Sequence, residues 1–392
     1  MKLTWSRIRL HVTDTFRTAK ARRTDKETLW VQLSLDGITG WGEAVPMDTY
    51  RQTLQSAEAT LAEIKPWFEE SGPQDPLSVE AITRELLARF DDQRAAVAAV
   101  DAALHDWIGK RHAISTVRWL GLDGLPLPLT SFSIGIDEPD AVARKVREAA
   151  AYPILKLKLG TDQDEAILAA VRREVPDKRV RVDANGAWSV DEALAKLPML
   201  ARYGVEFVEQ PILPGDNAGL RRLREAEICP IVADESCIRP ADVPALAGCV
   251  NCVNIKLSKC GGIREGLRVL HAARACGLKV MLGCMIESSL GIAAASQLAP
   301  LADWLDLDGH LLLTGDPFEG VGGAAGRLTI GIGPGLGVRQ RGPSPLASSQ
   351  TSIERPASLH AKGRDHWHEP PISERRRFHL TDTWAGEESI GE

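Results

Sequence analysis

The sequence predicts an α/β protein: a (β/α)8-type (modified TIM) barrel preceded by an N-terminal α+β capping domain. The chain has 392 residues, which is more than a single hydrophobic core usually supports. From residue 131 onward, short apolar stretches recur at intervals of roughly 20 to 30 residues, the length of one strand–helix unit. Charged residues stand at the ends of these stretches, as they do where barrel strands end at an active site.

The region before the barrel combines strand and helix patterns. Its predicted strands are 3–12, 28–35 and 38–44, and its predicted helices are 54–65, 79–89 and 94–111. The Asp36-Gly37 pair between the second and third strands predicts a hairpin, because glycine supplies the positive φ that such turns require. We therefore expect residues 1–125 to form a compact capping or lid domain.

The barrel is expected within residues 126–320. Its eight predicted strands are SFSIG (131–135), ILKLKLG (154–160), VRVDA (180–184), VEFVEQP (205–211), PIVADES (230–236), CVNIKLSK (252–259), KVMLGCM (279–285) and WLDLDG (304–309). We expect residues 321–338 to return to the capping domain. Residues 339–392 are rich in Arg, Ser, Pro and Glu without periodicity, so we expect a disordered tail rather than a metal site at the His366-x-His368 pair.

The composition argues against several classes of protein. A net charge of −6 gives no reason to expect a nucleic-acid partner, since such surfaces are usually strongly basic. The first residues lack the unbroken apolar core of a signal peptide, and no apolar run approaches the roughly 20 residues that cross a bilayer, so we expect a cytoplasmic protein without a membrane partner. All seven cysteines lie between Cys229 and Cys284, which favours reduced thiols, and Cys249-x-x-Cys252 is expected to be buried rather than to bind zinc.

Three acids follow three successive predicted strands. Asp183 stands in VDANGAW, Glu209 in VEQP and Asp234 in ADES. The spacings, 209 − 183 = 26 and 234 − 209 = 25, each match one barrel unit, so the carboxylates should meet at one place on the rim. Three uncompensated anions would repel one another, whereas oxygen ligands with open positions suit Mg²⁺. We predict one Mg²⁺ per subunit at these residues; for any one of them alone, a strand-end salt bridge is the alternative.

Three lysines flank this predicted centre. Lys156 and Lys158 lie on the second strand and project to the same side, and Lys256 lies on the sixth strand, across the barrel. Burial and a nearby dication lower a lysine pKa toward neutrality, so that the amine can exchange protons. With Lys158 and Lys256 on opposite faces of a planar intermediate, one removes an α-proton and the other returns a proton from the far side. The carbon is thereby inverted, and the metal stabilises the intervening enediolate.

Together these motifs resemble the enolase superfamily, specifically its muconate-lactonizing branch. The resemblance covers about residues 1–338 and rests on KLKLG, DANGAW, VEQP, ADES and NIKLSKCGG. A mandelate-racemase-like member would have a histidine in place of Lys256. The resemblance implies the capped barrel, Mg²⁺ and a two-lysine acid/base pair. Lys156 would hold the substrate carboxylate and depress its neighbour's pKa, and homo-oligomers are possible.

Within that branch, the eighth strand points to the substrate. Asp306 and Asp308 resemble the D-x-D of dipeptide epimerases, whose two acids bind the free α-ammonium of the substrate. By the same resemblance, Cys284 on strand seven and Ser131 on strand one contact the dipeptide. His310 departs from the family pattern, in which proline is usual.

Two segments of the capping domain are expected to cover the site. The basic segment 16–28 resembles the loop of Ala-Glu epimerases that binds a glutamate carboxylate, and Arg23 is the matching position; a solvated loop is the alternative. The segment 48–51 resembles the family's other lid loop.

We therefore expect an isomerase: a Mg²⁺-dependent dipeptide epimerase acting on the second residue, with L-Ala-D/L-Glu as the leading substrate. The alternatives are an epimerase of other dipeptides, a cycloisomerase or o-succinylbenzoate synthase-like enzyme of the same superfamily, and a non-catalytic binding protein on the same scaffold. The last is disfavoured because all three acids and all three lysines are present.

Overall fold

The computed structural model describes residues 1–342, which lie in a single compact unit. The chain opens with an antiparallel sheet of strands β1 (Lys2–Arg17), β2 (Arg22–Leu35) and β3 (Ile38–Ala44). Asp36 and Gly37 form the predicted β2–β3 turn with φ values of 51° and 74°. The first two strands are longer than predicted, because pairing resumes after an irregularity near His11 and sets Phe16 opposite Arg23. The basic segment that we expected to be a loop is therefore largely strand.

Helices α1 (Leu54–Pro66) and α3 (Arg94–Arg111) pack on this sheet, and α2 (Val79–Arg89) packs on α3. All three lie close to the predicted bounds. Helix α3 is buried along nearly its whole length. It contacts β3 backbone to backbone, since a Cβ on Gly42 would lie 2.0 Å from the Ala99 carbonyl oxygen and one on Gly40 would lie 2.0 Å from that of Ala103. Glycine at both positions thus permits the contact.

Eight parallel strands follow in sequential order. They are β4 (Phe132–Ile134), β5 (Ile154–Lys158), β6 (Arg179–Asp183), β7 (Val205–Glu209), β8 (Ile231–Ala233), β9 (Cys252–Ile255), β10 (Lys279–Gly283) and β11 (Trp304–Asp306). A parallel bridge between Thr130 and Leu305 joins the first strand to the last. The predicted barrel fold is confirmed.

Helices surround the barrel. After α4 (Thr116–Trp119) they are α5 (Pro139–Glu148), α6 (Asp164–Glu174), α7 (Val190–Arg202), α8 (Asn217–Glu225), α9 (Val243–Leu246), α10 (Leu257–Cys260), α11 (Ile263–Ala275) and α12 (Ser289–Ser296). Strand β11 is followed instead by a 3-10 turn at Gly309–Leu312. Across the described residues, no helix is both long and apolar enough to span a bilayer.

The barrel interior is layered. Phe207, Val232, Cys252 and Met281 form an apolar cluster inside it. Because alternate strand residues face the same side, the residue two positions after Phe207, Glu209, also faces inward, directly above this cluster. The apolar layer thus closes the barrel below the polar residues at the carboxyl ends of the strands.

The last described residues return to the capping domain. The Leu336 amide donates to Asp106 Oδ1 on α3 at 2.9 Å. Strand β12 (Phe318–Glu319) then pairs with β13 (Arg339–Gln340). Residues 339 and 340 therefore have strand partners, whereas the tail predicted for 339–392 stays a prediction. The rest of that prediction, including His366 and His368, lies outside the described residues, and the 125/126 domain boundary stays a prediction.

Candidate active site

The three predicted ligand acids converge at the carboxyl ends of β6, β7 and β8. Asp183 and Glu209 are the last residues of neighbouring strands and lie opposite each other in register, and Asp234 directly follows β8. All three are buried, and one carboxylate oxygen from each lies within 4.8 Å of the others. This spacing suits three ligands of one cation.

The chemistry of this donor set fits Mg²⁺. Burial and the neighbouring Asp183 raise the pKa of Glu209 to about 8, so the protein alone poorly compensates this carboxylate. Glu209 Oε2 lies 2.7 Å from Lys156 Nζ, yet among the described residues it has no partner in good hydrogen-bond geometry. A hard dication with all-oxygen ligation would stabilise the ionised form.

Neighbouring polar groups orient each ligand. The Asn185 amide donates to Asp183 Oδ1 at 2.8 Å, and Asn254 Nδ2 donates to Glu209 Oε1 at 2.8 Å. Lys259 Nζ donates to Asp234 Oδ1 at 2.7 Å. Sequence reasoning missed Asn254 and Lys259, although Asn254 lies two residues before Lys256 and so faces the same side of its strand.

Lys158 and Lys256 flank the triad at its two ends. Lys158 Nζ lies 2.5 Å from Asp183 Oδ2, and Lys256 Nζ lies 2.6 Å from Asp234 Oδ2. Lys158 ends β5, before the three ligand strands, whereas Lys256 follows β9, beyond them. Both line one cavity of about 250 Å³. The arrangement places an amine on either side of the acids.

The pKa of Lys256 differs from the sequence-based expectation. Burial lowers it, but Asp234 and Glu209 outweigh burial and raise it well above the usual lysine value. The protein groups alone therefore keep this lysine protonated, and the lowering needed for a base near neutral pH requires added positive charge.

Lys156 is held by protein carboxylates. Its Nζ contacts Asp306 Oδ2 and lies 2.7 Å from Glu209 Oε2 and 3.4 Å from Asp183 Oδ2. Lys156 is fully buried and does not line the cavity. Its ammonium thus offsets part of the negative charge of these acids. The contact with a substrate carboxylate that we expected of Lys156 stays a prediction.

Asp306 and Asp308 differ in their hydrogen bonds. Asp306 Oδ1 accepts from Ser131 Oγ at 2.6 Å, and its other oxygen contacts Lys156. Asp308 Oδ2 accepts from the Ser133 amide at 2.5 Å, while burial and Asp306 raise the pKa of Asp308 to about 6. Both acids line the cavity, so the less engaged Asp308 is the better acceptor for an ammonium group.

The remaining predicted contacts divide between the cavity and its surroundings. Cys284 lines the cavity, and its Sγ donates to the Asp306 carbonyl oxygen at 3.1 Å. Ser133, which sequence reasoning missed, lines the cavity where Ser131 does not. His310 does not line it and instead lies 2.8 Å, through Nε2, from the Gly322 carbonyl oxygen.

The capping domain covers the mouth of the barrel. The turn between β1 and β2 contributes Lys20 to the cavity, β2 contributes Arg23 and Lys26, and the segment 48–50 also lines it. Lys20 Nζ lies 3.3 Å from Glu235 Oε1, beside the ligand Asp234. Arg23 thus reaches the cavity as predicted, although from a strand.

All seven cysteines are free thiols, as expected. Cys249 and Cys252 are both buried, in agreement with a packing role.

Comparison with known proteins agrees with this geometry. Residues 7–121 match the family described as "Mandelate racemase / muconate lactonizing enzyme, N-terminal domain", and residues 140–342 match "Enolase C-terminal domain-like". An L-Ala-D/L-amino acid epimerase of Maribacter sp. is 38% identical over 82% of this chain and 94% of its own length. An L-Ala-D/L-Glu epimerase of Bacteroides thetaiotaomicron is 37% identical over 86% of this chain and 88% of its own.

Among solved structures, a dipeptide epimerase of Enterococcus faecalis complexed with Mg and L-Leu-L-Tyr superposes with a TM-score of 0.80. It is 31% identical, and the match covers 86% of this chain and 98% of that one. These findings confirm the resemblance that the motifs predicted. The chain belongs to the mandelate racemase / muconate lactonizing enzyme family of the enolase superfamily.

Proposed function

We propose that this protein is a Mg²⁺-dependent dipeptide epimerase that inverts the α-carbon of the second residue, with L-Ala-D/L-Glu as the leading substrate. The observation that carries the proposal is the pair Lys158 and Lys256, which lie at opposite ends of a buried three-carboxylate set and line one cavity. The relatives named as dipeptide epimerases support the same reaction class.

Asp183, Glu209 and Asp234 would hold the ion. When bound, Mg²⁺ would supply positive charge beside the substrate carboxylate, where negative charge accumulates as the α-proton leaves.

The lysines move the protons. For one epimer, Lys158 Nζ takes the α-proton and Lys256 Nζ delivers a proton to the opposite face; for the other epimer the roles exchange. Lys156 Nζ lies between Glu209 and Asp306 and offsets part of their negative charge, so that these two acids do not repel a substrate carboxylate as strongly.

The D-x-D pair orients the substrate. Asp308 accepts hydrogen bonds from the α-ammonium, while Ser131 and Lys156 hold Asp306 in place. A cycloisomerase substrate without an ammonium group would leave Asp308 without a charged partner in the cavity. The epimerase is therefore favoured over that alternative.

The second residue of the dipeptide faces basic side chains. Lys20, Arg23 and Lys26 line the cavity from the capping domain, together with the acids Asp48 and Glu235. Lys20 is paired with Glu235, so Arg23 and Lys26 against Asp48 leave a small excess of positive charge, which favours an acidic side chain such as glutamate. Arg23 is proposed as the direct contact. A cytoplasmic location and homo-oligomer formation stay predictions.

The test is incubation of the purified protein with Mg²⁺ and L-Ala-L-Glu in D₂O. Proton NMR should show loss of the glutamate α-proton, and chiral chromatography should show L-Ala-D-Glu. N-acetyl-L-Ala-L-Glu, which lacks the ammonium group, should react much more slowly. If a library of dipeptides shows no exchange, the proposed function is wrong.

A further inference from the structure

A fourth lysine contacts the ligand set without reaching the cavity. Lys259 lies in α10, three residues after Lys256, and is 1% exposed. Its Nζ donates to Asp234 Oδ1 at 2.7 Å, to the Asp234 carbonyl oxygen at 2.6 Å and to the Asn254 carbonyl oxygen at 2.7 Å. An ammonium group has three hydrogens, so every donor of Lys259 is used inside the protein.

Lys256 has a different environment, although it contacts the same carboxylate. It lines the cavity, and its ion pair among the described residues is with Asp234 Oδ2. Lys256 therefore retains hydrogens that face the cavity, whereas those of Lys259 point at fixed acceptors. Of Lys256 and Lys259, it is Lys256 that is placed to exchange a proton with a substrate.

The contacts of Lys259 connect the ends of three strands. Asp234 follows β8, and Asn254 lies in β9. The Asn254 side chain reaches on to Glu209, at the end of β7. On the other side, Arg94 of α3 donates to the Cys260 carbonyl oxygen at 2.6 Å, so the capping domain braces the short helix that carries Lys259.

We propose that Lys259 is a positioning residue for metal binding: it fixes the main chain and the carboxylate of Asp234 and, through Asn254, aligns that ligand with Glu209. The inference rests on the metal site of the proposed function. It assigns Lys259 no part in proton transfer.

Two effects of removing Lys259 oppose each other, and their balance distinguishes positioning from simple charge. Loss of a positive charge beside the acids would, by electrostatics alone, tighten binding of a cation. Loss of a group that orients a ligand typically weakens metal binding by about 10- to 100-fold. If Lys259 acts by positioning, the neutral variant must bind metal more weakly despite having one cation fewer.

The experiment titrates Mn²⁺ into the metal-stripped full-length protein and measures free Mn²⁺ by electron paramagnetic resonance. Lys259→Met should raise the Kd by about 10- to 100-fold. Lys259→Arg should also raise it, because a planar guanidinium does not reproduce three diverging donors. A matched control is Lys196→Met, since Lys196 also pairs with a buried acid, Asp164 Oδ2 at 2.9 Å, on α6. The control should bind Mn²⁺ like the wild type.

Thermal unfolding in EDTA establishes that each variant is folded. A folded Lys259→Met protein that binds Mn²⁺ as tightly as the wild type, or more tightly, overturns the inference. If Lys259→Met does not fold, Lys259→Arg decides in the same way: weaker binding supports positioning and unchanged binding refutes it. A wild-type protein that binds no Mn²⁺ overturns the proposed metal site, and this inference with it.

Discussion

Replacement of one flanking lysine should separate proton removal from inversion. In Lys256→Met, Lys158 still lies beside Asp183 and can remove the α-proton from the epimer that presents it to that side. Deuterium then returns from the same face, so this epimer exchanges its α-proton in D₂O without inverting. Lys158→Met should show the same behaviour with the opposite epimer.

These lysine variants are expected to lose both rate and stability. Loss of one general acid/base slows inversion by about 10²- to 10⁴-fold, or about 3–5 kcal/mol in the barrier. Breaking a buried ion pair usually costs about 3–5 kcal/mol of stability. Because Asp234 retains Lys259 at 2.7 Å, we expect the smaller loss of about 1–3 kcal/mol for Lys256→Met, so the variant should remain folded.

The assay follows each pure epimer by proton NMR for exchange and by chiral chromatography for inversion. Lys196→Met, which changes a remote ion pair, serves as the control and should invert both epimers at the wild-type rate. If either single variant exchanges both epimers equally, or still inverts at the wild-type rate, the two-sided mechanism is wrong.

Three further predictions address the metal, the ammonium site and the lid. Mg²⁺ at 100 times its Kd should stabilise the protein by about 2.7 kcal/mol relative to EDTA, and equal unfolding midpoints in calorimetry would argue against a bound ion. Burial and Asp306 raise the pKa of Asp308 to about 6, so Asp308 becomes protonated as the pH falls through that value. The kcat/KM should therefore fall below about pH 6. Asp308→Asn should have a low kcat/KM that does not fall further below about pH 6. A Cβ on Gly135 would lie 2.8 Å from the Arg17 amide nitrogen, so Gly135→Ala should displace the turn that carries Lys20. The KM should rise while the Mn²⁺ affinity stays unchanged. An unchanged KM would show that the position of this turn does not affect substrate binding.

Much of the site could be predicted because its residues recur with the barrel. Asp183, Glu209 and Asp234 each end one strand unit, so their convergence follows from spacing alone. The groups that orient them depend instead on register between strands. Asn254 reaches Glu209 from β9 across β8, a contact that no local pattern in the chain indicates.

Two further differences depend on how far a residue lies along its strand and on pairing between strands. Ser131 was expected at the substrate from the resemblance, yet its hydroxyl is bonded to Asp306, and Ser133, two residues later, lines the cavity. Arg23 lines the cavity from β2, whereas we expected it in a loop. The segment 16–28 is strongly charged and lacks the apolar alternation that predicts a strand. Its residues from Arg22 onward are nevertheless a strand, because their backbone pairs with β1.

The charge balance of the buried cluster explains how Lys256, whose pKa is raised by its acidic neighbours, could still serve as a base. Four carboxylates, those of Asp183, Glu209, Asp234 and Asp306, are paired with the ammonium groups of Lys156, Lys158, Lys256 and Lys259. With all four acids ionised this set is neutral, which lowers the cost of burying it. The acids around Lys256 favour its protonated form and so raise its pKa. Two added positive charges at the same acids would remove that advantage and lower the pKa of Lys256. Mg²⁺ at these acids would thus lower the barrier in two ways. It would stabilise negative charge on the substrate, and it would lower the pKa of Lys256 so that its amine can accept a proton.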